Sequence, residues 1–234
     1  MLVAAAVCPC PPLLVPEVAA GAAPELDSAR AACLDAVGVL AASRPDLLVV
    51  VGPGEGRAYP AGGHGSFRGF GVALDVILGA PDPAAQGPAL ADSLAVGAWL
   101  LDRARWTGAP VGGLAVDERS PAAVCARTGQ ELAARAERVA LLVMGDGTAC
   151  RTLKAPGYLD ERAEAFDARA TEALGSADLA ALDALDETLA YELKAAGRAP
   201  WQLLSGAARG AGLAGRLLYE DAPYGVGYTV AAWS

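Results

Sequence analysis

The sequence predicts one α/β domain over residues 1–234, with a central mixed, mostly parallel sheet flanked by helices. Three observations carry this. Short apolar runs of strand length (Leu2–Val7, Asp46–Val51, Val111–Val116, Arg138–Met144) alternate with longer stretches of helical periodicity. Past the leading Asp46 and Arg138 the runs are unbroken by charge, as strands covered on both faces are. Their ends carry turn residues: Cys8-Pro9-Cys10-Pro11-Pro12, Gly52-Pro53-Gly54 and Gly145-Asp146-Gly147. Loops of that kind collect at the carboxyl edge of an open sheet, where its ligand crevice lies.

Taken in order, Leu2–Val7 reads as a buried first strand, stopped by prolines that lack an N–H and fix φ. Pro24–Ala42 repeats Leu26, Ala29, Cys33, Ala36, Val37 and Leu40 at helical spacing. Asp46–Val51 is a buried strand. Residues 52–71 form a Gly/Pro-rich loop holding His64, and Val72–Leu78 follows as an edge strand. Pro88–Trp106 is a helix and Val111–Val116 a strand. Ser120-Pro121 supplies an N-cap and a first-turn proline for a helix to about Ala136. Arg138–Met144 is the strongest strand. Leu159–Leu174, Ala177–Leu185, Glu187–Ala196 and Pro200–Ala211 are four helices in succession. Arg216–Tyr219 and Gly225–Trp233 close the chain as strands, and Tyr224-Gly225-Val226-Gly227-Tyr228 implies close backbone approach or a bulge.

Composition excludes several classes. With 54% hydrophobic and 19% charged residues, the 234-residue chain can bury a large core. A net charge of −9 argues against nucleic-acid and anionic-membrane surfaces. No apolar run approaches the roughly 20 residues of a membrane helix. The apolar N-terminus lacks a basic leader and reads as a strand, not a signal peptide. Five cysteines, an odd number, suggest reduced thiols in a cytoplasmic protein.

Each candidate for chemistry has a plainer alternative. Cys8 and Cys10 could form a soft zinc or Cu(I) site with Cys150 and Glu220, or offer a reactive thiol, or simply fill the core. Cys150 would be a reactive thiol if its loop led into a helix N-terminus, and otherwise a loop cysteine. Asp146 could act as a general base, or shape its turn by accepting backbone N–H groups. His64 could swing over the edge as an acid/base group, or stand in solvent. Arg57, Arg68 and Arg151 could clamp an anion, or remain solvated. Glu220 could ligate a metal, or pair and cap locally.

Four segments then match one pattern in order. Pro9-Cys10-Pro11-Pro12-Leu13-Leu14-Val15-Pro16-Glu17 resembles the P-H-P-P-x-x-x-P-E opening of the class III extradiol ring-cleavage dioxygenases, the LigB type with its Memo-like relatives. Val49-Val50-Val51-Gly52-Pro53-Gly54 is similar to that family's strand ending in S-P-H. Gly145-Asp146-Gly147-Thr148-Ala149-Cys150-Arg151, with Pro156-Gly157-Tyr158 and Phe166-Asp167, resembles its G-D-L-S-H-R, P-x-G-Y and F-D segments. Ala222-Pro223-Tyr224-Gly225-Val226-Gly227-Tyr228 resembles its closing A/G-P-F/Y-G-V-G-Y.

The resemblance implies a LigB-like fold and oxygen-dependent ring opening of catechol-type aromatics at Fe(II) held by two histidines and a glutamate. It places the first ligand at Cys10, the second at Gly54, the proton-handling group at Ala149 or Cys150, and the carboxylate at Glu220 or Asp221. With His64 the only histidine, the two-histidine set cannot form within one subunit. The expectation is therefore a diverged or inactive member, with zinc an alternative metal and a binding or scaffold role the alternative function. His64, Cys150 and Asp146 are the catalytic candidates. Arg151, Arg68 and Tyr224 are the contacts expected for a small aromatic or anionic molecule. A homo-oligomer or a partner subunit could supply missing ligands.

Overall fold

The computed structural model describes residues 1–82 and 87–234. β1 (Leu2–Cys8) opens the chain. A 3₁₀ turn (Pro12–Leu14) leads to the short α1 (Pro16–Ala19), then a 3₁₀ stretch (Ala20–Leu26) and α2 (Asp27–Ala42). β2 (Leu47–Pro53), β3 (Ala58–Tyr59), β4 (His64–Ser66) and β5 (Asp75–Ile77) follow. Then come α3 (Asp92–Arg103), β6 (Val111–Val116), α4 (Ala122–Ala133) and β7 (Val139–Met144). A helical block of α5 (Arg162–Ser176), α6 (Leu179–Asp183), α7 (Glu187–Glu192) and α8 (Arg198–Ala208) precedes β8 (Gly215–Asp221) and β9 (Tyr228–Trp233).

Seven strands form one sheet in the order β3-β6-β2-β7-β1-β9-β8. The β6-β2-β7-β1 core is parallel, and β3, β9 and β8 join it through antiparallel ladders. Strand alternation sorts the core. Ala6 and Cys8, Leu48 and Val50, and Leu142 and Met144 meet α2 and α3 on one face. Val7, Val49 and Val51, and Leu141 and Val143 meet α4, α5 and α8 on the other. Both faces are covered, which is why these strands read as unbroken apolar runs.

Several boundaries differ from expectation. Residues 72–78 do not join the main sheet: Asp75–Ile77 pairs only with His64–Ser66, in a separate hairpin. Ser120 does not cap α4. Pro121 takes the cap position, and the first helical N–H, from Ala122, is accepted by Glu187 Oε1 at 2.7 Å. A carboxylate reaching across from α7 replaces the local cap. α6 starts at Leu179, later than expected, because Asp178 caps it by accepting from the Ala181 N–H. Asp186 caps α7 at its expected start by accepting from the Leu189 N–H, and α7 ends at Glu192, short of Ala196, where Lys194 takes a positive φ of 56°.

Candidate functional site

The parallel strands end at one edge, which gathers Cys10, Gly54 and Asp146 as expected. The start of β9 adds Tyr228. β7 extends past Met144 through a bond from Gly145 N–H to the Cys8 carbonyl (2.9 Å), and this carries Asp146 to the first turn. Its Oδ1 accepts from the Cys10 N–H at 2.8 Å. The side chain is half-buried. Burial pushes its carboxyl up to about 7, and the Cys10 bond only partly opposes that. Asp146 therefore shapes the turn, as the plainer of its two expected readings has it, with its carboxyl held up to about 7. Tyr228 lies beside it, buried, and its hydroxyl has no partner among the described residues. Burial first, then the Asp146 carboxylate, holds that hydroxyl above the ordinary phenol range.

The proton on Asp146 links to stability with a definite sign. A carboxyl whose folded pKa is raised stabilises the fold fully below about pH 4 and loses that stability as pH rises through about 7. Its contribution to thermal stability is expected to fall between about pH 4 and pH 7 and to stay flat above that. The Asp146→Asn variant should show a shallower fall, and equal slopes in thermal melts would show that the proton is held elsewhere.

The loops behind this edge are zipped together. Gly147 N–H donates to the Gly227 carbonyl (2.7 Å), Gly227 N–H to that of Thr148 (2.9 Å) and Arg151 N–H to that of Gly225 (3.0 Å). Asp167, 4% exposed on α5, anchors the zip. It accepts from the Thr148 N–H and hydroxyl, each at 2.8 Å, and from Arg151 at 3.2 Å. A Cβ on Gly147 or Gly227 would stand 2.7 or 2.6 Å from its oxygens, so both positions need glycine. The close backbone approach expected at Gly225–Tyr228 is this contact. Burial raises the Asp167 carboxyl above its usual range despite these bonds. One available signal marks Asp167: it lies on the apolar stripe of Ala163, Phe166, Ala170 and Leu174, where an aspartate is out of place.

Other expected site residues are corrected. Arg151 is paired with Asp167 and Glu164, and Arg68 with Asp75 at 2.9 Å; Tyr224 donates to Glu25 at 2.8 Å. None is left as an unpaired anion clamp. Cys150 precedes no helix N-terminus. Its thiol is buried, donates to the Leu193 carbonyl and is pushed up by burial, the reverse of an activated thiolate. His64 is held in the β4–β5 hairpin, its carbonyl accepting from Leu90 N–H (2.8 Å), and does not swing over the edge.

The metal readings also fail on geometry. The Cys8 thiol bonds to Cys33 within the core, and that bond and burial raise its pKa well above normal. Burial does the same for Cys10, followed by the carboxylate of Asp146 and the more distant Asp92 and Glu118. All five thiols are buried and unpaired as disulfides. Glu220 lies opposite Thr229, which bonds Thr171 of α5, whereas Tyr228 shares its face with Asp221. Glu220 is thus exposed on the opposite face from Tyr228, and Asp221 is tied to Tyr219 and Ala222. Gly54 is sealed as well as ligand-free, since a Cβ there would stand 2.8 Å from Ala115 Cβ and 3.0 Å from Ala91 Cβ. Among the described residues, no three His, Cys, Asp or Glu side chains converge as metal ligands. The residues present do not fit ferrous iron or a cysteine-based zinc site.

Sequence reasoning also missed Tyr228 and Arg198. Arg198 is 2% exposed, donates to the Glu118 and Ser120 carbonyls and to Gln202, and so fixes the loop between β6 and α4. Nothing in the local pattern of α8 marks it.

The fold is similar to that of the uncharacterized protein JW3007 from Escherichia coli K12, with a TM-score of 0.56 and 17% identity over 99% of each chain. No family model and no curated protein matches the chain. Among the described residues, no helix is long and apolar enough to cross a membrane.

Proposed function

We propose that this chain is a diverged relative of the LigB-type dioxygenases that has lost ring cleavage at ferrous iron. Its carboxyl edge serves instead as a metal-free binding and proton-exchange site for a small aromatic or anionic molecule. The carrying observation is the sealing of Gly54 by Ala91 and Ala115, which leaves no room for a ligand side chain at the second iron position. The Asp146 carboxyl, titrating near 7 beside the unpartnered Tyr228 hydroxyl, supports the proton-exchange part. The chain's own groups can then do two things. Tyr228 can donate to a ligand oxygen, and Asp146 can take or return its proton at neutral pH. Five unpaired thiols support the reducing, cytoplasmic setting expected from the sequence.

Anaerobic reconstitution with ferrous iron is expected to leave well under one iron per chain and no oxygen uptake with a panel of catechols. Calorimetry with hydroxybenzoates in the presence of chelator is expected to give binding that changes with pH through the Asp146 range and is lost in Asp146→Asn. Stoichiometric iron, with catechol-dependent oxygen uptake abolished by Glu220→Gln, would overturn the reading.

A further inference from the structure

The β4–β5 hairpin carries its own polar face, apart from the edge site. His64 and Ser66 are two residues apart on β4, and Asp75 lies directly across from Ser66, so the three side chains share one face. Gly65 between them turns the other way, onto Ala95 and Leu90. The shared face floors a cavity of about 460 Å³ walled by Tyr59, Pro60 and Pro88. That volume lies within the range of roughly 300–1,000 Å³ typical of small-molecule sites. None of Cys10, Gly54, Asp146 or Tyr228 lines it.

The chemistry of the floor is specific. The Ser66 hydroxyl donates to Asp75 Oδ1 at 2.7 Å and its oxygen accepts from the Arg68 N–H at 3.3 Å, so its hydrogen is committed and one lone pair remains. The Arg68 guanidinium holds the same carboxylate through Nε at 3.3 Å and Nη2 at 2.9 Å. That pair cancels its own charge. One remaining acceptor position on Ser66 Oγ and one on Asp75 Oδ2 therefore stand beside an imidazole that in its neutral form carries one donor and one acceptor nitrogen. The walls are apolar: the flat ring of Tyr59, two prolines, and Ala58 and Ala89. A carboxylate-bearing ligand would meet acceptors facing acceptors. A flat ring bearing an amino group would not.

We propose that this cavity binds a planar, amino-substituted heteroaromatic base. Its exocyclic amino group donates to the Ser66 and Asp75 oxygens, and a ring nitrogen accepts from the His64 imidazole. The ring lies against Tyr59, Pro60 and Pro88. The proposal stands apart from the edge-site reading.

The chain has one histidine, so its imidazole ring protons report on this cavity alone. In NMR titrations of the full chain, adenine is expected to move those resonances saturably, and benzoate to leave them in place. Ser66→Ala removes an acceptor but keeps the reporter, and should weaken adenine binding about three- to tenfold. Asp75→Asn should weaken it further, while Asp146→Asn should bind adenine as the parent chain does. Circular dichroism establishes that each variant is folded. The proposal is overturned by resonances that ignore adenine, by an equal response to benzoate, or by unchanged affinity in folded Ser66→Ala and Asp75→Asn.

Discussion

Asp167→Ala is expected to cost on the order of 3–5 kcal/mol, read as a lower urea midpoint. The carboxylate is almost wholly buried and holds the Thr148 N–H, the Thr148 hydroxyl and Arg151. Alanine leaves two of these donors in the interior with no acceptor, and a buried donor without a partner forfeits its full desolvation cost. Arg151 falls back on Glu164, an exposed partner at 3.7 Å. The loss should spread, because the 145–151 and 225–228 loops join through the same point. Proteolysis is expected to begin in those loops. Asp167→Asn keeps shape and one acceptor, so its loss should be smaller. A midpoint for Asp167→Ala within about 0.5 kcal/mol of the parent, the span of neutral surface changes, would remove Asp167 as the anchor.

Gly206→Ala is expected to cost at least about 3 kcal/mol or to prevent folding. The new Cβ would stand 2.0 Å from the Ala126 carbonyl oxygen and 2.5 Å from Ala126 Cα. Gly129 makes the reciprocal contact, its built Cβ 2.0 Å from the Leu203 carbonyl oxygen. The obstacles are backbone atoms that no rotamer change can move, so α4 and α8 would have to part and open the core beneath them. Gly38 in α2 is the control. A Cβ there meets nothing within 4 Å, so Gly38→Ala should stabilise by up to about 1 kcal/mol through helix propensity. Similar effects from both substitutions in thermal melts would show that the helix crossing tolerates separation.

Much of the architecture was legible because it rests on local periodicity. The parallel strands and main helices follow from apolar runs and stripes, and the loops reach one edge because parallel strands share a direction. What failed was longer in range. The α4 start depends on Glu187, far along the chain, so Ser120-Pro121 misled. Residues 72–78 had strand composition but found only a hairpin partner. Among the candidates, Asp146 and Cys10 met as expected. Arg151, Arg68 and Tyr224 were instead claimed by Asp167, Asp75 and Glu25.

By itself the sequence determined the sheet class, the carboxyl-edge placement of Cys10 and Asp146, and the absence of a two-histidine ligand set, since those depend on residue identity and short-range pattern. Only the tertiary structure decided that Gly54 is sealed, that Glu220 faces away from Tyr228, and that His64 belongs to a separate cavity. Those outcomes turn on which residues from distant segments fill a given space and on one-residue registers that flip a side chain between faces, and neither is written in any single stretch of chain.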